Sequence, residues 1–152
     1  MNIIFLDIDG VLRTNNSDQY WFEVTGKPIP HSIFDRFFDK QSVSILNEIV
    51  HYTSAKVVVT STWRVQHTLD ELKHIFKIRG FNGEILDKTS IIGNKGEEIQ
   101  EWLDTHPVNK YVVIDDNIKD ILIHINQKRV IQCDPTIGLN SKLFESIIDL
   151  LL

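Results

Sequence analysis

The side chains in this sequence most able to do chemistry are aspartates. Asp7 and Asp9 stand at the end of a short apolar run over residues 3–6 and are followed at once by Gly10. A second acidic group, Asp115 and Asp116, closes another apolar run over residues 111–114, with Asn117 and Asp120 just beyond it. Between them, Thr60, Ser61 and Thr62 end a β-branched run that starts at Lys56. Residues i and i+2 of an extended segment share a side, so Asp7 and Asp9 are expected to face the same space. Two like charges there need a cation or a shared proton.

Each polar cluster terminates a run with the character of a buried strand, an apolar stretch stopped by a turn signal. Helical spacing fills the intervals. Val43, Leu46, Ile49 and Val50 make one stripe, with Ser42 as its N-cap. Leu69, Leu72, Ile75 and Phe76 make another, entered through a Thr68/Glu71 capping box and ending at Gly80. Ile99, Trp102 and Leu103 follow a weaker Asn94/Glu97 cap in a helix that begins near Lys95 and stops before Pro107. Ile118, Ile121, Leu122 and Ile125 predict a further helix, and Leu143, Phe144, Ile147, Ile148 and Leu151 a closing one. Short strands are expected at 83–86 and 129–133. Strands alternating with helices predict an α/β class, a three-layer Rossmann-like fold whose mostly parallel sheet is covered on both faces. In such a sheet the three polar clusters fall at one edge, which is where open α/β sheets bind ligands.

The 152 residues fit a single domain with one sizeable core. Residues from about 13 to 40 lack a clear period, contain Gly26, Pro28 and Pro30, and are expected to form a flap-like insertion over the carboxylate edge. Its aromatic residues, Tyr20, Trp21, Phe22, Phe34, Phe37 and Phe38, either pack the flap onto the body, the more frequent outcome, or line an entrance. The 42% hydrophobic and 24% charged fractions are those of an ordinary globular chain. No basic leader precedes an apolar segment and no stretch is long enough to span a bilayer, so the expectation is a cytoplasmic protein with no membrane partner. Cys133 is the sole cysteine, which excludes an internal disulfide and a thiolate-rich zinc site. A net charge of -5 argues against non-specific binding to polyanions but leaves room for a local basic groove. The six histidines have no metal-ligand spacing and read as surface or packing residues.

Three or four carboxylates around one point, without a histidine or cysteine cluster, favour a hard cation with oxygen ligands. Mg²⁺ is the best fit. A metal held in this way also holds substrate phosphate, whose remaining oxygens would be bound by the hydroxyls of Thr60 and Ser61, by backbone N–H groups and by a lysine.

DIDGV at 7–11, the strand-end Thr60, Lys95 leading a helix and IDDN at 114–117 together resemble, in order, the four motifs of the haloacid dehalogenase (HAD) superfamily. The resemblance runs over residues 3–120. It implies that Asp7 is a nucleophile forming an aspartyl phosphate. Asp9 would be the general acid and then the general base, with its backbone carbonyl on the metal. An aspartate at this position also favours phosphoryl transfer over dehalogenation. Thr60, or its neighbour Ser61, would hold a phosphate oxygen. Lys95 would neutralise the phosphorylated aspartate, with Lys88 as the substitute; a cation at a helix start is mildly unfavourable and so needs a reason. Asp116 would bind Mg²⁺ directly and Asp115 directly or through water, while Asp120 would orient Lys95. The string STWR at 61–64 resembles small HAD domains associated with RNA repair proteins, with Arg64 either on a second phosphate or at the surface. Asp134, Pro135 and Gly138 read as a loop after the last strand, either bordering the site or only a turn.

Neither interval between motifs easily holds a globular cap, and HAD members without one tend to act on macromolecules or to borrow closure from another subunit. The leading expectation is a Mg²⁺-dependent phosphatase acting on a nucleic-acid end, a nucleotide or a phosphoprotein. Two rivals are a catalytically silent HAD scaffold that binds a phosphorylated ligand or partner, and a receiver-like phospho-accepting domain.

Overall fold

The computed structural model of the chain describes residues 1–32 and 36–152. Among these residues five strands, β1 (Asn2–Leu6), β2 (Lys56–Val59), β3 (Ile85–Lys88), β4 (Lys110–Asp115) and β5 (Val130–Gln132), form one sheet. All their pairings are parallel and the order is β3-β2-β1-β4-β5. The first strand is therefore central, and the chain reverses direction of growth between β1 and β4, the place where doubly wound sheets open a crevice. A receiver-like domain has the order 2-1-3-4-5. That rival is removed by topology.

Among the described residues six α-helices pack around the sheet: α1 (Asn15–Thr25), α2 (Lys40–Thr53), α3 (Trp63–Gln66), α4 (Leu69–Ile78), α5 (Lys95–Thr105) and α6 (Ser141–Leu151). Strand residues alternate between two cores, as the period of two requires. Ile4, Leu6, Val57, Val59, Val112 and Ile114 face the larger core with the apolar stripes of α2, α4 and α6. Ile3, Phe5, Val58 and Val113 face the smaller core with Ile99 and Trp102 of α5 and with Ile121 and Ile125.

Several expected boundaries move. Helix α2 starts at Lys40 because Asp39, not Ser42, caps it, its Oδ1 accepting from the amides of Gln41 and Ser42. Strand β3 lies two residues later than expected. The helix foreseen over 118–125 is only a 3₁₀ turn at Ile121–Ile123; Ile121 and Ile125 are buried, whereas Leu122 and Ile123 are exposed. Two buried contacts suffice for a turn packed on α5 and do not extend it into a helix. The 13–40 interval holds the regular helix α1, entered through a capping box between Thr14 and Ser17 and closed by Gly26. Of its aromatic residues, Phe38 is buried against Trp63 and Phe76, Trp21 stands edge-on to Phe37, and Tyr20 and Phe22 are exposed. Phe34 lies outside the described residues.

Candidate active site

Strand register builds the site. Leu6 pairs with Val59 and with Ile114, and Val59 pairs with Lys88. The next residue of each strand extends the ladder: Asp7 donates its N–H to Ile114 O, Thr60 to Leu6 O and Thr89 to Val59 O. Thr89, Thr60, Asp7 and Asp115 thus form one row across four adjacent strands. By parity with Phe5, Val58 and Val113 this row belongs to the α5 face.

Helix α5 delivers the cation to that row. Lys95, its first residue, places Nζ 3.1 Å from Asp7 Oδ1 and 2.7 Å from Asp115 Oδ2. Asn94 caps the helix by accepting from the Glu97 amide, and Gly96 lets α5 approach the turn after β4, since a Cβ there would lie 2.8 Å from Asp120 O. Lys88, the substitute candidate, is spent elsewhere, donating to the carbonyls of Arg64 and His67. Asp120 is exposed, and the carboxylates that meet Lys95 are Asp7 and Asp115. The orienting contact expected of Asp120 is made in this structure by Asp115.

Asp7, Asp115 and Asp116 each offer an oxygen, and these oxygens lie within 4.8 Å of one another. Gly10 makes this possible: its φ is +83°, and a Cβ there would stand 2.4 Å from the Asp116 carboxylate. Asp7 and Asp115 are buried. Burial first, and then the Asp115 carboxylate, push the Asp7 carboxyl up to about 8, against the opposing pull of Lys95. Burial and Asp115 likewise raise Asp116. The Lys95 ammonium, which burial alone would lower, is raised by Asp7 and Asp115. Three crowded carboxylates facing one ammonium lack positive charge, and hard oxygen donors at this spacing fit a divalent cation such as Mg²⁺. Burial and the same three carboxylates push the neighbouring Cys133 thiol up to about 12, so it stays protonated.

Asp9 departs from expectation. The strand ends at Leu6, so the same-side rule for extended residues no longer applies, and the turn carries Asp9 away from Asp7. Its carboxylate is 45% exposed and accepts from Arg13 Nη1 at 2.9 Å and from Trp63 Nε1 at 3.0 Å. The crowding is between Asp7, Asp115 and Asp116, and the Asp9 side chain stands beside it at the rim.

The two hydroxyl candidates also separate. Ser61 Oγ accepts from the Trp63 amide, whereas the buried Thr60 Oγ1 has no hydrogen-bond partner among the described residues. An unsatisfied buried hydroxyl costs about 1–3 kcal/mol, which a bound oxyanion would recover. Thr60 is the free donor.

Arg64 is neither at the surface nor available to a phosphate. Its guanidinium is buried and donates to the carbonyls of Thr60, Ser61, Thr89 and Ser90, and it pairs with Glu98 at 2.6 Å. Glu98 Oε2 in turn accepts from the Ile92 amide. Arg64 and Glu98 therefore tie the Thr60 loop and the 89–92 loop to α5, one turn beyond Lys95. The signal for Glu98 was present, because position 98 shares a helical face with Lys95 and Trp102. Arg13 had no such signal. Asp134 to Leu139 is a loop, as read; the Pro135 and Thr136 carbonyls accept the first amides of α1, and the Leu139 amide donates to Val11 O. A groove of about 630 Å³ bordered by Asn47, Glu48, Lys56 and Glu84 lies away from this chemistry. Among the described residues no helix is long and apolar enough to cross a membrane.

A central β1 whose end carries the first aspartate, a lysine on the helix before β4 and an acidic pair at the end of β4 define a member of the HAD superfamily. The family model for the HAD domain in Swiss Army Knife RNA repair proteins matches residues 3–144, and the chain belongs to that family. No curated protein matches it. Among solved structures it is similar to a haloacid dehalogenase-like hydrolase from Streptococcus pneumoniae, with a TM-score of 0.52 and 17% identity over 97% of this chain and 89% of that one. The fold is that of a HAD-type hydrolase, and among the described residues there is no large cap.

Proposed function

We propose that the chain is a Mg²⁺-dependent phosphohydrolase that works through an aspartyl phosphate on Asp7. The observation that carries this reading is the Lys95 ammonium bridging Asp7 and Asp115 in the same row as the unpartnered Thr60 hydroxyl. Held by Asp7, Asp115, Asp116 and the Asp9 carbonyl, Mg²⁺ would supply charge to keep Asp7 ionised and to offset that of a phosphate.

The steps then fall to this chain's own residues. An Asp7 carboxylate oxygen attacks phosphorus, and the ester P–O bond breaks with its electron pair on the leaving oxygen. That oxygen takes the proton of the Asp9 carboxyl. Water next attacks the phosphoryl group and gives a proton to the Asp9 carboxylate, while the acyl phosphate P–O bond breaks and returns its pair to Asp7. Asp9 ends protonated, as it began, and the products are an alcohol and orthophosphate. Thr60 donates to a non-reacting oxygen and Lys95 offsets the charge on Asp7 and the phosphate.

An open site suits a bulky phosphorylated substrate, and the RNA repair context in the family's description favours a nucleic-acid end over a nucleotide or a phosphoprotein. The test is orthophosphate release from p-nitrophenyl phosphate, nucleotides, 5′- and 3′-phosphorylated oligonucleotides and a phosphopeptide, with Mg²⁺ or EDTA. Mg²⁺-dependent release, greatest with oligonucleotides, is the expected result. No release from any of them would leave the silent scaffold in place of the enzyme.

A further inference from the structure

Under the proposed mechanism Asp9 must give a proton at one fixed place in the first step and take one back there in the second, yet its carboxylate is half-exposed. We infer that Arg13 and Trp63 are positioning residues for Asp9, and that Arg13 makes the aim of that carboxylate depend on helix α1. The inference rests on the reading of Asp9 as acid and base given above.

Each Asp9 oxygen accepts one N–H. Oδ1 takes it from Arg13 Nη1 and Oδ2 from Trp63 Nε1. A carboxylate with a donor on each oxygen has its side-chain torsions fixed, where a solvated one would sample several rotamers. The two donors are anchored differently. Trp63 is 6% exposed and packs on Phe38, which stands edge-on to Phe76, so its indole is set by the core. Arg13 is set by the turn and by α1. Gly10 donates to its carbonyl and its own amide donates to Ile8 O, while Nη2 reaches Asp18, in the first turn of α1, at 3.0 Å. Neither donor competes for the proton in transit, since an indole N–H only donates and a guanidinium is not deprotonated in proteins. Their contribution is geometric.

A geometric contribution to proton transfer has a signature that loss of folding lacks. It matters for esters with poor leaving groups, which need the proton, and little for p-nitrophenyl phosphate, whose leaving oxygen departs readily. The experiment compares kcat/KM of Trp63→Phe, Arg13→Gln and Asp18→Asn with wild type on p-nitrophenyl phosphate and on a nucleoside 5′-monophosphate. Asp9→Asn is the reference, and thermal unfolding of every variant is followed. Trp63→Phe keeps an aromatic ring against Phe38 and removes only the donor and one ring's breadth. We expect Trp63→Phe and Arg13→Gln to lose roughly tenfold more on the nucleotide than on p-nitrophenyl phosphate, part of the about 10² to 10⁴ that general acid-base assistance supplies. Asp18→Asn should show the same preference at smaller size. Equal losses on both esters, or none, in Arg13→Gln and Trp63→Phe overturn the inference while a selective loss in Asp9→Asn leaves the mechanism standing. A loss in Asp9→Asn without leaving-group selectivity overturns both. Should Trp63→Phe fail to fold, the Arg13→Gln and Asp18→Asn results decide alone.

Discussion

Two arginine–carboxylate pairs flank the site, and they differ in almost everything but chemistry. Arg64 and Glu98 are 5% and 3% exposed and meet at 2.6 Å beneath the Thr60 loop. Arg13 and Asp9 are 18% and 45% exposed and meet at 2.9 Å at the rim. Arg64 spends its other donors on four backbone carbonyls, so it fixes main chain on which the Thr60 hydroxyl and Lys95 are mounted. Arg13 spends its second arm on Asp18, a side chain of a surface helix, so it holds the Asp9 carboxylate and stays in contact with solvent. An ion pair out of water acts as structure because breaking it leaves a bare charge, whereas one at the rim has little hold on stability and is free to serve chemistry.

The largest expected effect breaks the site itself. Asp7→Asn should abolish turnover while the fold persists, and substantial residual phosphate release would remove Asp7 as the nucleophile. Next comes the buried pair: Glu98→Ala should destabilise the protein by about 3–5 kcal/mol in denaturant unfolding, because the Arg64 guanidinium is left without its counter-charge. A loss below about 1 kcal/mol, the range of exposed pairs, would erase the distinction between the two arginines. Thr60→Val should lower kcat/KM by about 10² to 10³, the usual cost of losing one oxyanion donor. Its unfolding midpoint should hold or rise, since a buried, unpartnered hydroxyl is lost. A variant that unfolds readily would mean that this hydroxyl has a structural partner after all.

The crowded carboxylates predict a pH dependence. Asp7 is raised from its ordinary 3.8 to about 8 when folded, so across that window the folded protein holds more protons than the unfolded chain. Stability therefore falls as pH rises through it. In EDTA the unfolding temperature should decline from about pH 4 to 8 and Asp7→Asn should flatten that decline. A profile unchanged by the substitution would mean that Asp7 is not the strained group. The smallest effect is at the rim, where Asp18→Asn should change stability by less than about 1 kcal/mol. A larger change would make the Arg13–Asp18 pair a structural link like that of Arg64.

Sequence pattern served best where local order and register decide the outcome. Apolar runs ending on Asp7, Thr60 and Asp115 place the strands, and parallel pairing then forces those residues into one row, which is why the carboxylate edge is legible in the sequence. Capping signals were equally reliable at Thr68 and Asn94, because a cap is a local hydrogen bond. What could not be read was the direction of side chains beyond a strand end. Asp9 leaves Asp7 because the chain turns after Leu6, and Arg64, expected either on a second phosphate or at the surface, is drawn inward by Glu98 from a distant helix. Ile118 to Ile125 carries helical spacing, but only Ile121 and Ile125 found a core to meet, so a turn formed instead.

The proposed mechanism stands or falls on whether Asp7 carries the phosphoryl group. Wild-type protein would be mixed with a phosphorylated oligonucleotide and Mg²⁺, quenched in acid during turnover, digested and mapped by mass spectrometry, with Asp7→Asn in parallel. An acid-stable, base-labile phosphoryl group is expected on the peptide bearing Asp7 and absent from the variant. Orthophosphate release with the label on another residue, or undiminished release from Asp7→Asn, would contradict it.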